Sequence, residues 1–184
     1  MKKLVLIACV ALFGFSANAQ VKLGFGFGYA VPSGDIADFT DGGLSAHFEL
    51  GYGVTDNIDV SLLYHGEFLA GGSTDVSGQT VSFGAVAIGS YMLNGRYFFT
   101  DTKFRPYGSL GLGLASVGSV SIEDDGDETE ASEGTSNFAF RPALGFKYGI
   151  LNMNAAYLSA GKSGEASIAD ITLNIGLLFT FGGN

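Results

Sequence analysis

Hydrophobic residues alternate with small or polar ones along most of this 184-residue chain. The pattern is clearest near the end, where every second position from 171 to 181 is Ile, Leu or Phe. A period of two places successive side chains on opposite faces of a β-strand. One face here is large and apolar, and the other carries Gly, Ser, Asn and scattered charges. An apolar exterior around a polar interior is typical of a β-barrel in a membrane.

The start of the chain has the three regions of a secretory signal peptide. They are the basic Lys2-Lys3, the apolar residues 4–15 and the small-residue cleavage motif Ala17-Asn18-Ala19. We predict a cleaved signal peptide over residues 1–19 and one barrel domain over 20–184. The apolar run is shorter than the ~20 residues of a spanning helix, which disfavours a membrane anchor. A lipoprotein site at Cys9 is disfavoured because it lies too early in the signal.

Composition excludes several classes of function. Cys9 is the only cysteine and is lost with the signal, which excludes disulfides, thiol catalysis and thiolate metal sites in the mature chain. Cleavage removes two of the 9 basic residues and none of the 18 acidic ones. Such an acidic chain is unsuited to nucleic acid, which is bound through basic patches.

The alternation predicts an all-β fold, an eight-stranded antiparallel up-and-down transmembrane β-barrel. The eight segments are residues 21–31, 44–54, 58–69, 81–99, 104–117, 138–148, 151–159 and 170–181. The fourth is the least regular, because apolar Val86, Ile88, Met92 and Phe98 share its polar face. Three connections are short and four are long, as in outer-membrane barrels with short periplasmic turns.

A soluble eight-stranded barrel of the lipocalin type is the rival fold. Its exterior would need many charges, whereas the polar face here has about one charge per strand. The apolar face is also too bulky for so narrow a lumen. Several tyrosines could form the aromatic girdles at the two membrane interfaces. They are Tyr29, Tyr52, Tyr64, Tyr97, Tyr148 and Tyr157. We therefore expect a location in the outer membrane of a Gram-negative-type envelope.

Two stretches carry a family resemblance. Residues 93–99 read Leu-Asn-Gly-Arg-Tyr-Phe-Phe, and residues 104–107 read Phe-Arg-Pro-Tyr. With the signal and the eight strands, they resemble the small outer-membrane β-barrel protein family, whose shape is similar to the OmpA and OmpX type barrels. The resemblance implies an assembly signal in the last strand, read by the barrel-assembly machinery, and specifies no reaction.

Nine charged residues fall on the polar, inward face of the predicted strands. They are Lys22, Glu49, Asp59, Glu67, Arg96, Arg105, Arg141, Lys147 and Asp170. One interpretation is a network of paired charges that plugs the lumen; the other is a selectivity ring in a pore. Eight strands enclose only enough space for their own side chains, which favours the plug.

His47 and His65 should face each other if their strands turn about Asp56. Glu67 would then be diagonal to this pair and Glu49 close to it. The alternatives are a divalent metal site, the His/acid part of a lipid-modifying hydrolase with Ser45 nearby, or a hydrogen-bonded interior pair. We favour the interior pair and assign no catalytic, cofactor-binding or metal residue.

The connection after the fifth strand is strongly acidic. Its acids are Glu123, Asp124, Asp125, Asp127, Glu128, Glu130 and Glu133. Their spacing does not match a calcium-binding loop, so a solvated surface loop is favoured over a cation or partner site.

We therefore expect a monomeric, non-enzymatic barrel without a cofactor, with a structural or surface-interaction role. Its partners would be outer-membrane lipid and an extracellular ligand or protein bound by the long loops. A narrow passive channel for small solutes is the alternative, and a lipid-modifying enzyme is the second alternative.

Overall fold

The computed structural model describes residues 20–38, 40–76, 79–82, 84–120, 135–163 and 166–182. The predicted signal peptide and the acidic residues 123–133 lie outside these ranges. No helix within the described ranges is long and apolar enough to cross a membrane.

Ten strands and one short 3-10 helix, Gly34–Asp38, make up the described chain. The strands are β1 Gln20–Ser33, β2 Thr40–Gly53, β3 Ile58–Gly71, β4 Ser73–Val76, β5 Gln79–Ser82, β6 Ala85–Phe98, β7 Phe104–Val120, β8 Thr135–Tyr148, β9 Leu151–Ser163 and β10 Ala166–Phe181. All except β4 and β5 close one barrel, in which every strand is antiparallel to its neighbours and β1 pairs with β10. The predicted eight-stranded antiparallel barrel is confirmed.

One predicted strand is wrong in its bounds. The segment 81–99 is divided, because β5 ends at Ser82 and pairs with β4 in a separate hairpin. The barrel strand β6 begins only at Ala85 and ends at Phe98. Alternation persists through the break, and a period of two does not reveal which neighbour a strand pairs with. Two barrel strands also begin before the predicted segments: β8 begins at Thr135 instead of residue 138, and β10 begins at Ala166 instead of residue 170.

The short connections join β2 to β3, β6 to β7 and β8 to β9 at one end of the barrel. Short turns mark the periplasmic side of outer-membrane barrels, so the opposite end is extracellular. The first residue of β1, Gln20, and the last residue of β10, Phe181, therefore both lie at the periplasmic side.

The predicted faces are also confirmed. On β6, Tyr91 is 71% exposed, whereas the next residue, Met92, is 2% exposed. Large apolar side chains cover the outer surface of every barrel strand, with Leu44 and Leu144 each about 70% exposed. So extensive an exposed apolar surface is stable only against lipid.

The strands tilt strongly, and this tilt sorts the inward side chains by height. A row of paired residues that begins at Lys22, near the periplasmic end of β1, passes through Ser61 and Gly111 to Arg141 in the middle of β8. Asp170, near the extracellular end of β10, pairs with Pro32, at the far end of β1. A row of paired residues therefore moves from the periplasmic towards the extracellular end as it passes around the barrel. Each level of the lumen is consequently lined by residues from different positions along different strands.

Candidate functional site: the layered lumen

Glycines on the inward face of β1 make room for polar side chains from the neighbouring strands. A Cβ at Gly26 would lie 2.6 Å from His47 Cε1, and one at Gly28 would lie 2.4 Å from Asn174 Oδ1. Both distances are far below normal contact. The glycines at alternate positions of residues 24–28 therefore create space in the lumen from within a strand.

A four-membered charge network fills the periplasmic half of the lumen. Arg96 donates to Glu49 across 2.6 Å, and the hydroxyl of Ser61 donates to the other Glu49 oxygen, also at 2.6 Å. Asp59 lies 3.5 Å from the Lys22 ammonium and 3.7 Å from the Arg96 guanidinium. The four charged side chains are almost completely buried. They form the paired interior network that the sequence predicted for these positions.

Aromatic side chains pack around this network. The Arg96 guanidinium lies 4.8 Å from the centroid of the Tyr107 ring, and the Tyr107 hydroxyl donates to Asn152 across 2.9 Å. Phe98 packs against Tyr107 with ring centroids 5.5 Å apart, and Leu178 completes the cluster. Apolar surface thus seals the flanks of the buried charges, where water would otherwise weaken their attraction.

His47 and His65 are direct partners of β2 and β3, as the turn about Asp56 predicted. Their ring centroids are 6.4 Å apart. His65 is completely buried, and its Nε2 lies 2.6 Å from Glu67 Oε1. The hydrogen bond thus joins His65 to Glu67, and a hydrogen bond between His47 and His65 themselves stays a prediction.

Neither chemical alternative for this pair gains support from the geometry. Within the described ranges, no group of three or more His, Cys, Asp or Glu side chains is placed to hold a metal ion. Ser45, the nucleophile considered from the sequence, is buried and donates its hydroxyl proton to Asn174 across 3.1 Å. A hydrolase would need a serine that both contacts a base and is open to substrate.

Arg141 is the cation of the extracellular half of the lumen. It is buried, it contacts Asn154 Oδ1 at 3.4 Å, and it interacts electrostatically with Glu67 and Asp170. Asp170 is itself fully buried and lies beside Glu67. Arg141 and these two carboxyl groups are therefore neighbours in the lumen, although they come from distant parts of the sequence.

An apolar cluster, here called the apolar cap, lies in the lumen towards the extracellular side of these groups, and the sequence did not predict it. Its buried members are Ala30, Ile36, Leu63, Leu69, Ile88, Met92, Ala115, Ala139, Leu158, Ala160 and Ile168, with Val86 and Val117 packed against them. Leu63 and Met92 are register partners nearer the middle of the barrel, where Leu63 also pairs with Glu49. Ile36 comes from the 3-10 helix, which lies against β10 at the extracellular end. The irregular alternation of the predicted fourth strand, at Val86 and Ile88, was the sequence signal for this cap.

Side-chain hydrogen bonds hold the 3-10 helix over the lumen. The amide and hydroxyl of Ser167 both donate to Asp35 Oδ2 at 2.8 Å. These bonds keep the pKa of the Asp35 carboxyl below its ordinary value, because they favour the ionised form. Thr40 donates to the Ile36 carbonyl at 2.9 Å, which fixes the helix to the start of β2.

The remaining two predicted inward charges, Arg105 and Lys147, lie at the periplasmic mouth and are half-buried. All nine charges therefore face the lumen, as predicted. Their contacts differ: Lys22, Glu49, Asp59 and Arg96 form ion pairs, Arg141 interacts electrostatically with Glu67, Asp170 and Glu49, and Arg105 stands opposite Lys147.

A closed eight-stranded barrel with an apolar outer surface and buried luminal charges defines an outer-membrane β-barrel protein. The profile of the family described as outer membrane protein beta-barrel domain matches residues 4–181, and the chain belongs to this family. The outer membrane of Gram-negative bacteria is therefore its location. The outer membrane protein PagN of Salmonella typhimurium strain LT2 is 28% identical over 148 residues. The match covers 69% of this chain and 62% of PagN, so the chain spans less than two thirds of that relative.

Solved structures of two bacterial surface proteins share the fold. Ail, the attachment invasion locus protein of Yersinia pestis, is 14% identical with a TM-score of 0.57, over 88% of this chain and 99% of Ail. Neisserial surface protein A is 16% identical with a TM-score of 0.57, over 89% of this chain and 97% of that protein. At these identities the likeness concerns the fold alone.

Proposed function

We propose that this protein is a closed, non-enzymatic barrel whose extracellular loops present an acidic surface to basic partners outside the cell. One observation carries the proposal. Twelve of the 18 acidic residues, but only Lys162 among the 9 basic ones, belong to the connections and strand ends of the extracellular side. The acids are Asp35, Asp38, Asp41, Asp75, Glu123, Asp124, Asp125, Asp127, Glu128, Glu130, Glu133 and Glu165.

The filled lumen supports a surface role over the channel alternative. A solute would have to pass the buried Arg96 network and then the apolar cap with Ile36. Displacing both requires separating desolvated ion pairs and exposing apolar side chains, which are each unfavourable. Binding through the external loops requires neither change.

The acidic loops also specify the sign of the partner's charge. Ail has been solved in complex with the heparin analogue sucrose octasulfate, a polyanion. An acidic surface repels such a ligand and attracts cationic segments of proteins, with long-range steering that salt screens. We therefore propose a partner of opposite charge to the one found with Ail.

Maturation completes the proposal. Removal of residues 1–19 would leave Gln20 at the start of β1. The last residues of β10 would be the segment that the barrel-assembly machinery recognises. A single copy closes its own barrel, so we propose that the working unit is a monomer inserted in outer-membrane lipid.

Adhesion of cells that display the protein tests the partner class. Cells that display the protein should adhere to poly-lysine-coated surfaces in larger numbers than cells without it. On heparin-coated surfaces the protein should give no increase in adhesion. A loop variant with Glu123, Asp124, Asp125 and Asp127 changed to the corresponding amides should lose much of the gain. The matched control changes the periplasmic acids Asp56 and Asp101 in the same way. Equal adhesion of the loop variant and the control, or a gain on heparin, would overturn the proposal.

A further inference from the structure

Two cations face each other directly at the periplasmic mouth of the lumen. Arg105 on β7 and Lys147 on β8 are register partners, and both point inward. Like charges in directly opposed positions of neighbouring strands repel and destabilise a sheet. A third cation, Lys22 on β1, is close enough to add to the repulsion on Lys147.

The polar contacts of this pair go to uncharged atoms. Arg105 donates to the backbone carbonyls of Thr100, at 3.0 Å, and Asp56. Lys147 donates to the Thr180 hydroxyl at 3.4 Å. In the part of the chain that the structure describes, neither forms an ion pair with a carboxylate.

Nearby carboxylates are already engaged by other cations. Glu49 is bonded to Arg96 at 2.6 Å, and Asp59 is held between Lys22 and Arg96. These two acids balance two of the four cations gathered there. Among the inward-facing side chains there, positive charges thus outnumber negative ones by two, and Arg105 and Lys147 are the cations without an ion-pair partner among the described residues.

We propose that the mouth formed by Arg105 and Lys147 binds a phosphate group. The Arg105 guanidinium and the Lys147 ammonium group supply positive charge and N–H donors that match phosphate oxygens. An anion between the opposed cations would replace their repulsion by two charge-assisted contacts. The strand ends also lie at the periplasmic membrane interface, the depth of the phosphates of inner-leaflet lipids. The group can thus come from a phospholipid headgroup or from free periplasmic phosphate.

The aromatic floor of the mouth makes the site more than a surface charge. The Arg105 guanidinium stacks over the Phe98 ring at 4.2 Å from its centroid, and Phe98 is completely buried. Stacking fixes the plane of the guanidinium, so its free edge has a defined direction and loses little rotational freedom on binding.

Thermal unfolding of the full protein, purified from outer membranes into a phosphate-free maltoside detergent, tests the site. Chloride is compared with inorganic phosphate, and separately with a soluble short-chain phosphatidic acid, at equal ionic strength and pH. We expect the wild-type Tm to rise by about 3 °C or more with one or both phosphate forms. A rise with inorganic phosphate identifies free phosphate as a source, and a rise with the lipid alone identifies the headgroup; either supports the site.

Substitutions separate binding from a structural role. Arg105→Gln and Lys147→Gln should each abolish most of the phosphate-dependent rise and, by relieving repulsion, should raise Tm in chloride. Lys162→Gln, at the opposite end of the barrel, removes the same charge and should behave as wild type. No rise with either phosphate form, or a full rise in both mouth variants, would overturn the proposal.

Discussion

The two ends of the lumen are filled by opposite kinds of side chain. At the periplasmic end, Arg96, Glu49, Asp59 and Lys22 form a buried ion-pair network bordered by aromatic rings. At the extracellular end, the seal is an apolar cap that includes Ile36 from the 3-10 helix. The stability of the periplasmic end therefore depends on ion pairs, and that of the extracellular end depends on the burial of apolar side chains.

This difference predicts how each end responds to change. A buried ion pair fails abruptly when one member is removed, because the partner charge is left desolvated. An apolar cluster loses stability in proportion to the contacts and cavity volume involved. Salt leaves apolar burial nearly unchanged, whereas it screens the charges at an open mouth.

The largest effect is expected from Arg96→Ala. Removing this guanidinium leaves Glu49 without its 2.6 Å partner and Asp59 with one cation fewer. The free energy of unfolding should fall by about 3–5 kcal/mol, as for other broken buried pairs. Urea unfolding in lipid vesicles measures this, with the exposed Lys162→Ala as the matched control. Equal stability of the two variants would show that the lower network does not hold the barrel.

A smaller loss is expected from Leu69→Ala in the apolar cap. Leu69 is completely buried, so truncation should cost about 2–4 kcal/mol, with little dependence on salt. Leu93→Ala is the control, because Leu93 is 58% exposed on the outer face, where lipid fills the space left by truncation. A larger loss for Leu93 than for Leu69 would contradict the assignment of the cap to the interior.

The smallest effect concerns the hydrogen bonds that hold the 3-10 helix. Because the folded-state pKa of Asp35 is lowered, its contribution is present above the unfolded pKa and is lost as pH falls through the folded value. Asp35→Asn should therefore speed amide exchange at Ser167 at neutral pH, and the difference from wild type should disappear in acid. An exchange rate at Ser167 that does not change on substitution would show that Asp35 does not hold the 3-10 helix against β10.

The fold was predictable because alternation, loop lengths and charge placement are all local properties of the sequence. The direct pairing of His47 with His65 also followed from one short turn, since antiparallel register propagates from it. The tilt of the strands does not follow from any local property of the sequence. It brings Glu67, Arg141 and Asp170 together from three strands, a grouping that no spacing in the sequence indicates.

The apolar cap escaped prediction for a related reason. Leu69, Leu158 and Ile168 are scattered apolar positions on faces that are otherwise small or polar, so none of them forms a recognisable pattern within its own strand. The split of the predicted fourth strand was hidden because β5 and β6 continue the same alternation. Both features depend on which strands become neighbours.

Single-channel conductance in a planar bilayer tests the closed lumen most directly. The purified barrel, with insertion verified by the gel shift between unheated and boiled samples, should give no discrete current steps. The Ile36→Asp variant with Arg96→Ala, which disrupts both seals, should be the form that conducts if it folds. Stable current steps from the wild-type protein would contradict the account, and the luminal charges would then line a pore for small solutes.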